Sequence, residues 1–223
     1  MAERHGADGG LHLSVHFGWY EAAREKSKSP EDAQTRRRDE RTRACAGALG
    51  AIALDLLLSR VGLLEALRKR DLDDCAQSCR FYAESCITRT YYARERVWEL
   101  MNLKAGHVGM KFRKKDLPEL LERLQRNQPD LADCCRRFYQ EIHSDVEVRN
   151  VATHQHFVFL AVFKGKHFFG EISEILQDID PDSKDAPKEK RAVRAALKAC
   201  VQERAKHTQT VADLALRLSG LLS

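Results

Sequence analysis

An arginine, an amide and a histidine lie close together at 149–154, where Arg149 is followed by Asn150 and, five residues after the arginine, by His154. Histidine exchanges protons near neutral pH, and the arginine guanidinium binds phosphate oxygens through a planar fork of donors. RNA carries its own nucleophile, the 2′-OH, so its cleavage requires a base, an acid for the leaving 5′-oxygen and positive charge on the phosphorane. These residues predict metal-independent RNA cleavage. His154 would be the base or acid, Arg149 would bind the phosphorane oxygens, and Asn150 would orient the histidine or hold a phosphate oxygen.

The motif follows an apolar stripe that predicts a long helix beginning at Pro129 and Asp130. The stripe recurs at helical spacing and consists of Leu131, Cys135, Phe138, Ile142 and Val146. The same spacing reaches Arg149, and a charge that extends a buried stripe is unfavourable unless it is paired or faces a polar cavity. The anomaly favours a functional site. The alternative is a helix that ends there, with Arg149 extending to water.

The separation of Arg149 and His154 bears on assembly. Side chains five residues apart on an α-helix point about 140° away from each other. Either the helix ends between these two residues, or a second copy of the chain completes the site. We therefore expect a homodimer.

Further residues are candidates for lining the same cleft. Tyr92 and Glu95 lie on a polar stripe of the preceding long helix, where a solvated helix face is an equally good interpretation. His156 is the alternative histidine, and its competing interpretation is a partly buried side chain beside the apolar run at 157–163. His143, Asp145 and Glu147 lie near the motif, and we expect them to lie on the helix surface.

Helical periodicity dominates the chain from Ala46 onwards. The first predicted buried stripe consists of Leu54, Leu57, Leu58, Val61, Leu64 and Leu67. A second helix is predicted over Asp71–Asn102 with Asp71 as its N-cap, a short one opens at Asp116, and a last one runs from about Pro187 to Leu222. The run at 157–163 fits a buried helix or a strand, and we favour a helix. The predicted fold is an all-α helical bundle of about five to six helices.

Composition indicates a soluble globular protein with a distinct N-terminal segment. The 223 residues are 43% hydrophobic and 32% charged, and the net charge of +5 suits either a nucleic-acid partner or a highly charged solvated surface. Residues 1–44 are predicted to form a polar, Arg-rich arm with one short amphipathic piece at 11–24. Residues 45–223 are predicted to form the helical domain.

The seven cysteines predict a reducing compartment. An odd count in a chain of this size is unlike a secreted disulfide scaffold. No signal peptide is visible after Met1, and the longest apolar run is too short for a transmembrane helix, so we expect a cytoplasmic protein without membrane partners. Adjacent Cys134 and Cys135 point to different faces, and Cys75 and Cys79 lie on an apolar stripe, so neither pair predicts a metal site. No cofactor is expected.

The arginine, the polar residue after it and the histidine after three further residues, at the end of a long helix in an all-α bundle, resemble the HEPN superfamily (higher eukaryote and prokaryote nucleotide-binding domains). The preceding segment 91–96 adds to the resemblance, which covers roughly residues 50–220. Many HEPN proteins are metal-independent ribonucleases that act as homodimers, with Arg and His of both subunits in one cleft. Others are inactive binding modules. The resemblance implies an endoribonuclease that leaves a 2′,3′-cyclic phosphate, with a toxin or defence role and a neutralising protein partner.

Two other functions remain open. One is a non-catalytic all-α dimerising module that binds nucleic acid or a protein partner. The other is a zinc-stabilised regulatory protein, which would require bound metal. Convergence of Arg149 and His154 on an open cleft would favour the ribonuclease.

Overall fold

In a computed structural model, the residues described are 30–106, 114–145, 179 and 182–221. Five α-helices lie within them, α1 Pro30–Ala66, α2 Leu72–Lys104, α3 Leu117–Asn127, α4 Pro129–Glu141 and α5 Ala186–Gly220, and the described residues 143–145 are helical as well. A short 3-10 helix, Lys114–Asp116, precedes α3. The described part of the chain has no strand. The prediction of an all-α bundle is confirmed.

Helix starts follow the local sequence signals. The Asp71 side chain accepts a hydrogen bond from the Asp74 backbone N–H at 2.9 Å and so caps α2. Proline stands in the first turn of α3, α4 and α5, where its missing N–H leaves no helical hydrogen bond unmade. The predicted starts of α2, α3 and α4 therefore agree closely with the structure.

Helix α1 differs from its prediction in both length and orientation. It begins at Pro30, well before Ala46. Three members of the predicted buried stripe, Leu54, Leu58 and Val61, are exposed. The residues that α1 does bury include Cys45, Leu49, Ala53, Leu56, Leu63 and Ala66. From Ala44 onwards, the apolar side chains of α1 point to nearly all sides of the helix. Their spacing alone therefore did not identify the buried side.

Two apolar clusters form the core. The larger contains Leu49 and Leu56 of α1, Val97 and Leu100 of α2, and Phe138 of α4, together with residues of α3 and the C-terminal half of α5. The smaller joins the ends of α1 and α2 that meet at residues 66–72 to the N-terminal half of α5. Helix α4 packs against α3 and α5, and α2 packs against α5 and α3.

Helices α1 and α2 run side by side in opposite directions. The Ser59 and Ser85 hydroxyls lie 3.3 Å apart, and Arg89 Nε lies 3.5 Å from Asp55 Oδ2. Gly62 lies directly against the Tyr82 ring, so that a Cβ at this position would overlap the ring. The absence of a side chain at Gly62 permits this close approach of the two helices.

Contacts divide the chain into two compact units, Met1–Arg37 and Arg38–Ser223. The structure describes only the start of α1 in the first unit, and its side chains at 31–37 are exposed. Over Glu31–Ala66, α1 is long and apolar enough to cross a membrane by length and composition. Buried helices of soluble proteins and signal sequences meet the same criterion, so this property alone does not assign a compartment.

Candidate functional site

The predicted site residues divide into two groups. Arg149, Asn150, His154 and His156 lie outside the described residues, as does the apolar run at 157–163. Tyr92 and Glu95 are described, as are the residues up to Asp145 that lead into the motif.

Tyr92 and Glu95 occupy the solvent side of α2. Tyr92 is 55% exposed. The carboxylate of Glu95 is 2.5 Å from the guanidinium of Arg94, which is buried and stacks over the Tyr91 ring at 4.1 Å. Tyr139 of α4 donates a hydrogen bond to the Arg94 carbonyl at 3.4 Å. An exposed aromatic ring thus lies one turn from a carboxylate held by a buried arginine, on a surface open to a ligand or another protein.

A buried ion pair joins the chain after α4 to α5. The two terminal guanidinium nitrogens of Arg204, Nη1 and Nη2, each donate to one carboxylate oxygen of Asp145, the Nη2 contact at 2.7 Å. Each residue is 4% exposed. Burial raises the pKa of Asp145, but the charge of Arg204 and hydrogen bonds from His207 and Arg204 outweigh it and hold that pKa well below its usual value. Asp145 is therefore ionised at neutral pH.

His207 and Glu141 extend this pair into a cluster of four titratable groups. His207 Nε2 lies 3.2 Å from Asp145 Oδ2, and His207 Nδ1 lies 2.8 Å from Glu141 Oε1. Burial lowers the pKa of His207, but the hydrogen bond to Asp145 and the charge of Asp145 more than offset it, so its pKa lies above the usual value. Carboxylates only accept hydrogen bonds, so the imidazolium, with both nitrogens protonated, satisfies both contacts. We call Glu141, Asp145, Arg204 and His207 the ionic cluster.

The ionic cluster lies at the level where the apolar core is divided. Buried polar residues interrupt the apolar positions on the three long helices, at Ser59 of α1, Thr90 of α2, and Arg204 and Thr208 of α5. Ser59 and Thr208 fall between the residues that their helices contribute to the larger and the smaller cluster. Thr90 follows Ile87, the last residue of α2 in the smaller cluster, and Arg204 is next to Ala205, the last residue of α5 in that cluster. The core therefore contains a polar layer with charges at one side, next to the chain that enters the motif.

The expected surface position of Asp145 is wrong, because the residue is buried. The prediction for Asp145 rests on its local segment, whereas the partner of Asp145, Arg204, lies 59 residues further along the chain. A signal was present on α5, where Arg204 and Thr208 continue the apolar spacing from Leu197 and Val201 to Val211. A charge on that stripe requires a buried partner.

A groove opens between α4 and α5 beside the ionic cluster. It has a volume of about 400 Å³ and is lined by Arg137, Gln140, Glu141, Thr210, Asp213, Leu214 and Arg217. Glu141 belongs to both the groove and the cluster. Two guanidinium groups, an amide and a hydroxyl supply donors for an anionic group, while the two carboxylates favour donors on a ligand.

The cysteines are unpaired, and six of the seven are buried. Burial raises the pKa of Cys45 and of Cys79 to about 12. Such thiols stay protonated at neutral pH, which argues against a cysteine nucleophile at these positions. Among the described residues, no group of three or more His, Cys, Asp or Glu side chains has the arrangement of a metal site.

Comparison with known proteins gives no family assignment. The chain matches no protein-family model, no curated protein and no solved structure.

Proposed function

We propose that the chain is a metal-independent endoribonuclease of HEPN type. His154 is the base or the acid, Arg149 holds the phosphorane charge, and Asn150 orients the histidine or holds a phosphate oxygen. The base takes the proton of the 2′-OH as its oxygen bonds to the adjacent phosphorus, the bond from phosphorus to the 5′-oxygen breaks as the acid protonates that oxygen, and a 2′,3′-cyclic phosphate remains. The motif at 149–154 supplies this chemistry from the sequence.

The observation that carries the proposal is the buried Asp145–Arg204 pair, four residues before Arg149. Phosphoryl transfer depends on groups held within a fraction of an ångström of their working positions. A two-pronged, desolvated ion pair fixes both the position and the rotation of the chain at Asp145 relative to α5. The Asp145–Arg204 pair thus holds the chain in place directly before the segment proposed to be catalytic.

The groove between α4 and α5 supports an RNA substrate. Arg137 and Arg217 line it, and arginine pairs with phosphate oxygens through two parallel donors. Since Glu141 joins the groove to the ionic cluster, a phosphate bound there would lie close to the chain that leads into the motif. We assign the groove to an RNA phosphate next to the scissile one.

Several further properties follow from the HEPN resemblance and form part of the proposal. The active species is a homodimer in the cytoplasm, and the dimer brings Arg149 and His154 of two chains together. Uncontrolled RNA cleavage harms a cell, which is why the proposal includes a toxin or defence role with a neutralising protein partner.

The proposal is tested by RNA cleavage in excess EDTA. Wild type, His154→Ala and Arg149→Ala are compared on the same RNA pools, and the ends are analysed for cyclic phosphate. We expect cleavage by the wild type alone. Asp145→Asn, checked for helicity by circular dichroism, should cleave more slowly while leaving the same ends. Cleavage that EDTA abolishes, or that His154→Ala retains, would contradict the mechanism.

A non-catalytic dimerising module is the second candidate. The exposed apolar side chains of α1 and α2 favour it, because contiguous apolar surface marks binding sites. If no RNA pool is cleaved, while the folded chain still binds RNA or a second copy, this function replaces the first.

A further inference from the structure

Large apolar side chains are exposed on one side of the α1–α2 hairpin. Leu54, Leu58 and Val61 of α1 and Phe81 and Tyr92 of α2 are each more than half exposed. Among the described residues, only Leu216 and Leu221 are further exposed large apolar side chains. We call the first five residues the outer face.

The contacts between α1 and α2 show that these side chains point in one direction. Val61, Leu58 and Leu54 each come one residue before a position that touches α2, namely Gly62, Ser59 and Asp55. Each residue turns a helix by about 100°. These three side chains therefore lie on one flank of the α1–α2 contact, while the residues that follow the contact positions, such as Leu63 and Leu56, are buried on the other flank.

On α2, too, the residue before a contact position is exposed and the residue after it is buried. Phe81 precedes Tyr82, which touches Gly62, and Ala83 after it is buried. Tyr92 is eleven residues beyond Phe81, about 20° away around the helix. The two helices are antiparallel and right-handed. On both of them, the residue that precedes a contact position therefore points to the same side of the hairpin, away from the core. The five side chains thus form one surface.

The α1 part of this surface has the spacing of a helix–helix seam. Exposed apolar positions recur at intervals of three and four residues, at Ala44, Gly47, Ala51, Leu54, Leu58 and Val61. The first three are small and the last three are large. A Cβ placed on Gly47 would have no neighbour within 4 Å, so the surface is open there.

We propose that a second copy of the chain covers the outer face, with the two α1 helices antiparallel about a two-fold axis between Ala51 and Leu54. This arrangement places Leu54 against Ala51, Leu58 against Gly47 and Val61 against Ala44 of the other copy. Every large side chain then meets a small one, as close packing requires. A parallel pair would instead place leucine on leucine at one end and leave a gap at the glycine.

The size of the face suits such a pair. Five side chains that are each more than half exposed amount to roughly 500 Å² of apolar area. Two copies would bury about 1,000 Å² from these residues alone, close to the lower limit of a specific interface. Aromatic residues such as Phe81 and Tyr92 are enriched in interfaces. This inference concerns only the contact through the outer face, and it depends neither on RNA cleavage nor on the pairing of Arg149 with His154 between two copies.

The oligomeric state of the full chain tests the proposal. Analytical ultracentrifugation should give a dimer, and Leu58→Glu should weaken the dimer by at least about 100-fold, because a carboxylate would be buried without a partner. Leu58 is 69% exposed in the single chain, so this variant should fold normally. Ala195→Glu adds the same charge at an exposed position of α5 and should leave the dimer unchanged.

Cross-linking tests the antiparallel orientation. Gly47→Cys and Leu58→Cys are prepared as separate full-length variants and oxidised mildly, with wild type as the control for the native thiols. A mixture of the two variants should form a disulfide-linked dimer that neither variant forms alone. Efficient linking of Gly47→Cys to itself would overturn the antiparallel arrangement.

Three other results would overturn the proposal. One is a monomer at all concentrations. Another is a dimer that Leu58→Glu does not weaken. The third is a monomer that binds phosphatidylcholine–phosphatidylserine vesicles through Leu58, which would make the outer face a lipid-binding surface.

Discussion

Removing the charge of Asp145 should destabilise the protein far more than removing an exposed carboxylate. In Asp145→Asn, the buried guanidinium of Arg204 keeps its charge but loses its counter-ion. Breaking a buried pair in this way costs about 3–5 kcal/mol. With an m-value of about 2 kcal/mol/M, a loss of about 4 kcal/mol lowers the urea midpoint by about 2 M. Circular dichroism of the helices follows the transition.

An exposed pair supplies the matched control. Arg123 and Glu119 of α3 are 2.6 Å apart, with side chains 47% and 67% exposed. Glu119→Gln should cost about 0.5 kcal/mol or less, because water screens the pair. The comparison separates the effect of burial from the effect of removing a charge.

A double variant tests whether the cost arises from the unpaired charge. Asp145→Leu combined with Arg204→Met removes both charges, and such replacements are often neutral or stabilising. We expect it to be more stable than Asp145→Asn. A loss below about 1 kcal/mol in Asp145→Asn, or a double variant less stable than the single one, would refute the assignment of a strongly coupled buried pair.

Three further predictions concern the cluster, the motif and the groove. Because the folded pKa of His207 is raised, its contribution to the unfolding free energy should be full below about pH 6.5 and be lost as pH rises through the folded value; urea unfolding of wild type and His207→Gln at about pH 6 and about pH 9 should show a difference that shrinks with pH. Arg149→Lys should lose nearly as much RNA cleavage as Arg149→Ala, since a point charge does not replace the planar fork; full activity in the lysine variant would contradict that role. Replacing Arg137 and Arg217 together by alanine should reduce the slope of log K against log salt for single-stranded RNA by about 1.4, whereas Arg126→Ala should not; an unchanged slope in the double variant would exclude the groove as a phosphate site.

Local signals predicted the starts of α2, α3, α4 and α5 well because caps act within a few residues. Asp71 and the prolines of α3, α4 and α5 act on the backbone groups of the first turn, whatever packs around them. The predicted continuation of α4 along the apolar stripe to Val146 is wrong, because α4 ends at Glu141.

Helix α1 also begins at a proline, Pro30, followed by Glu31 and Asp32. Its first turns are polar and exposed, however, so they carry no apolar periodicity. Periodicity therefore placed the start of that helix at its first buried residues.

The ionic cluster could not be assembled from local spacing, because its members lie on three separate segments. Glu141 ends α4, Asp145 follows it, and Arg204 and His207 belong to α5. The sequence reveals only that a charge interrupts the α5 stripe at Arg204. Tertiary packing determines which carboxylate pairs with Arg204.

Helix α1 shows why a pattern can predict a helix and still misjudge its surroundings. Apolar residues all around a helix normally indicate burial on every side. In α1, Leu56 and Leu63 are buried in the core of the same chain, whereas Leu54, Leu58 and Val61 are exposed. At the edge of a bundle, the rest of the chain covers only one side of a helix and leaves the other side exposed to solvent. The excess apolar residues of α1 therefore indicate a second binding surface, and the failed assignment of the buried stripe and the proposed contact between two copies have the same physical origin.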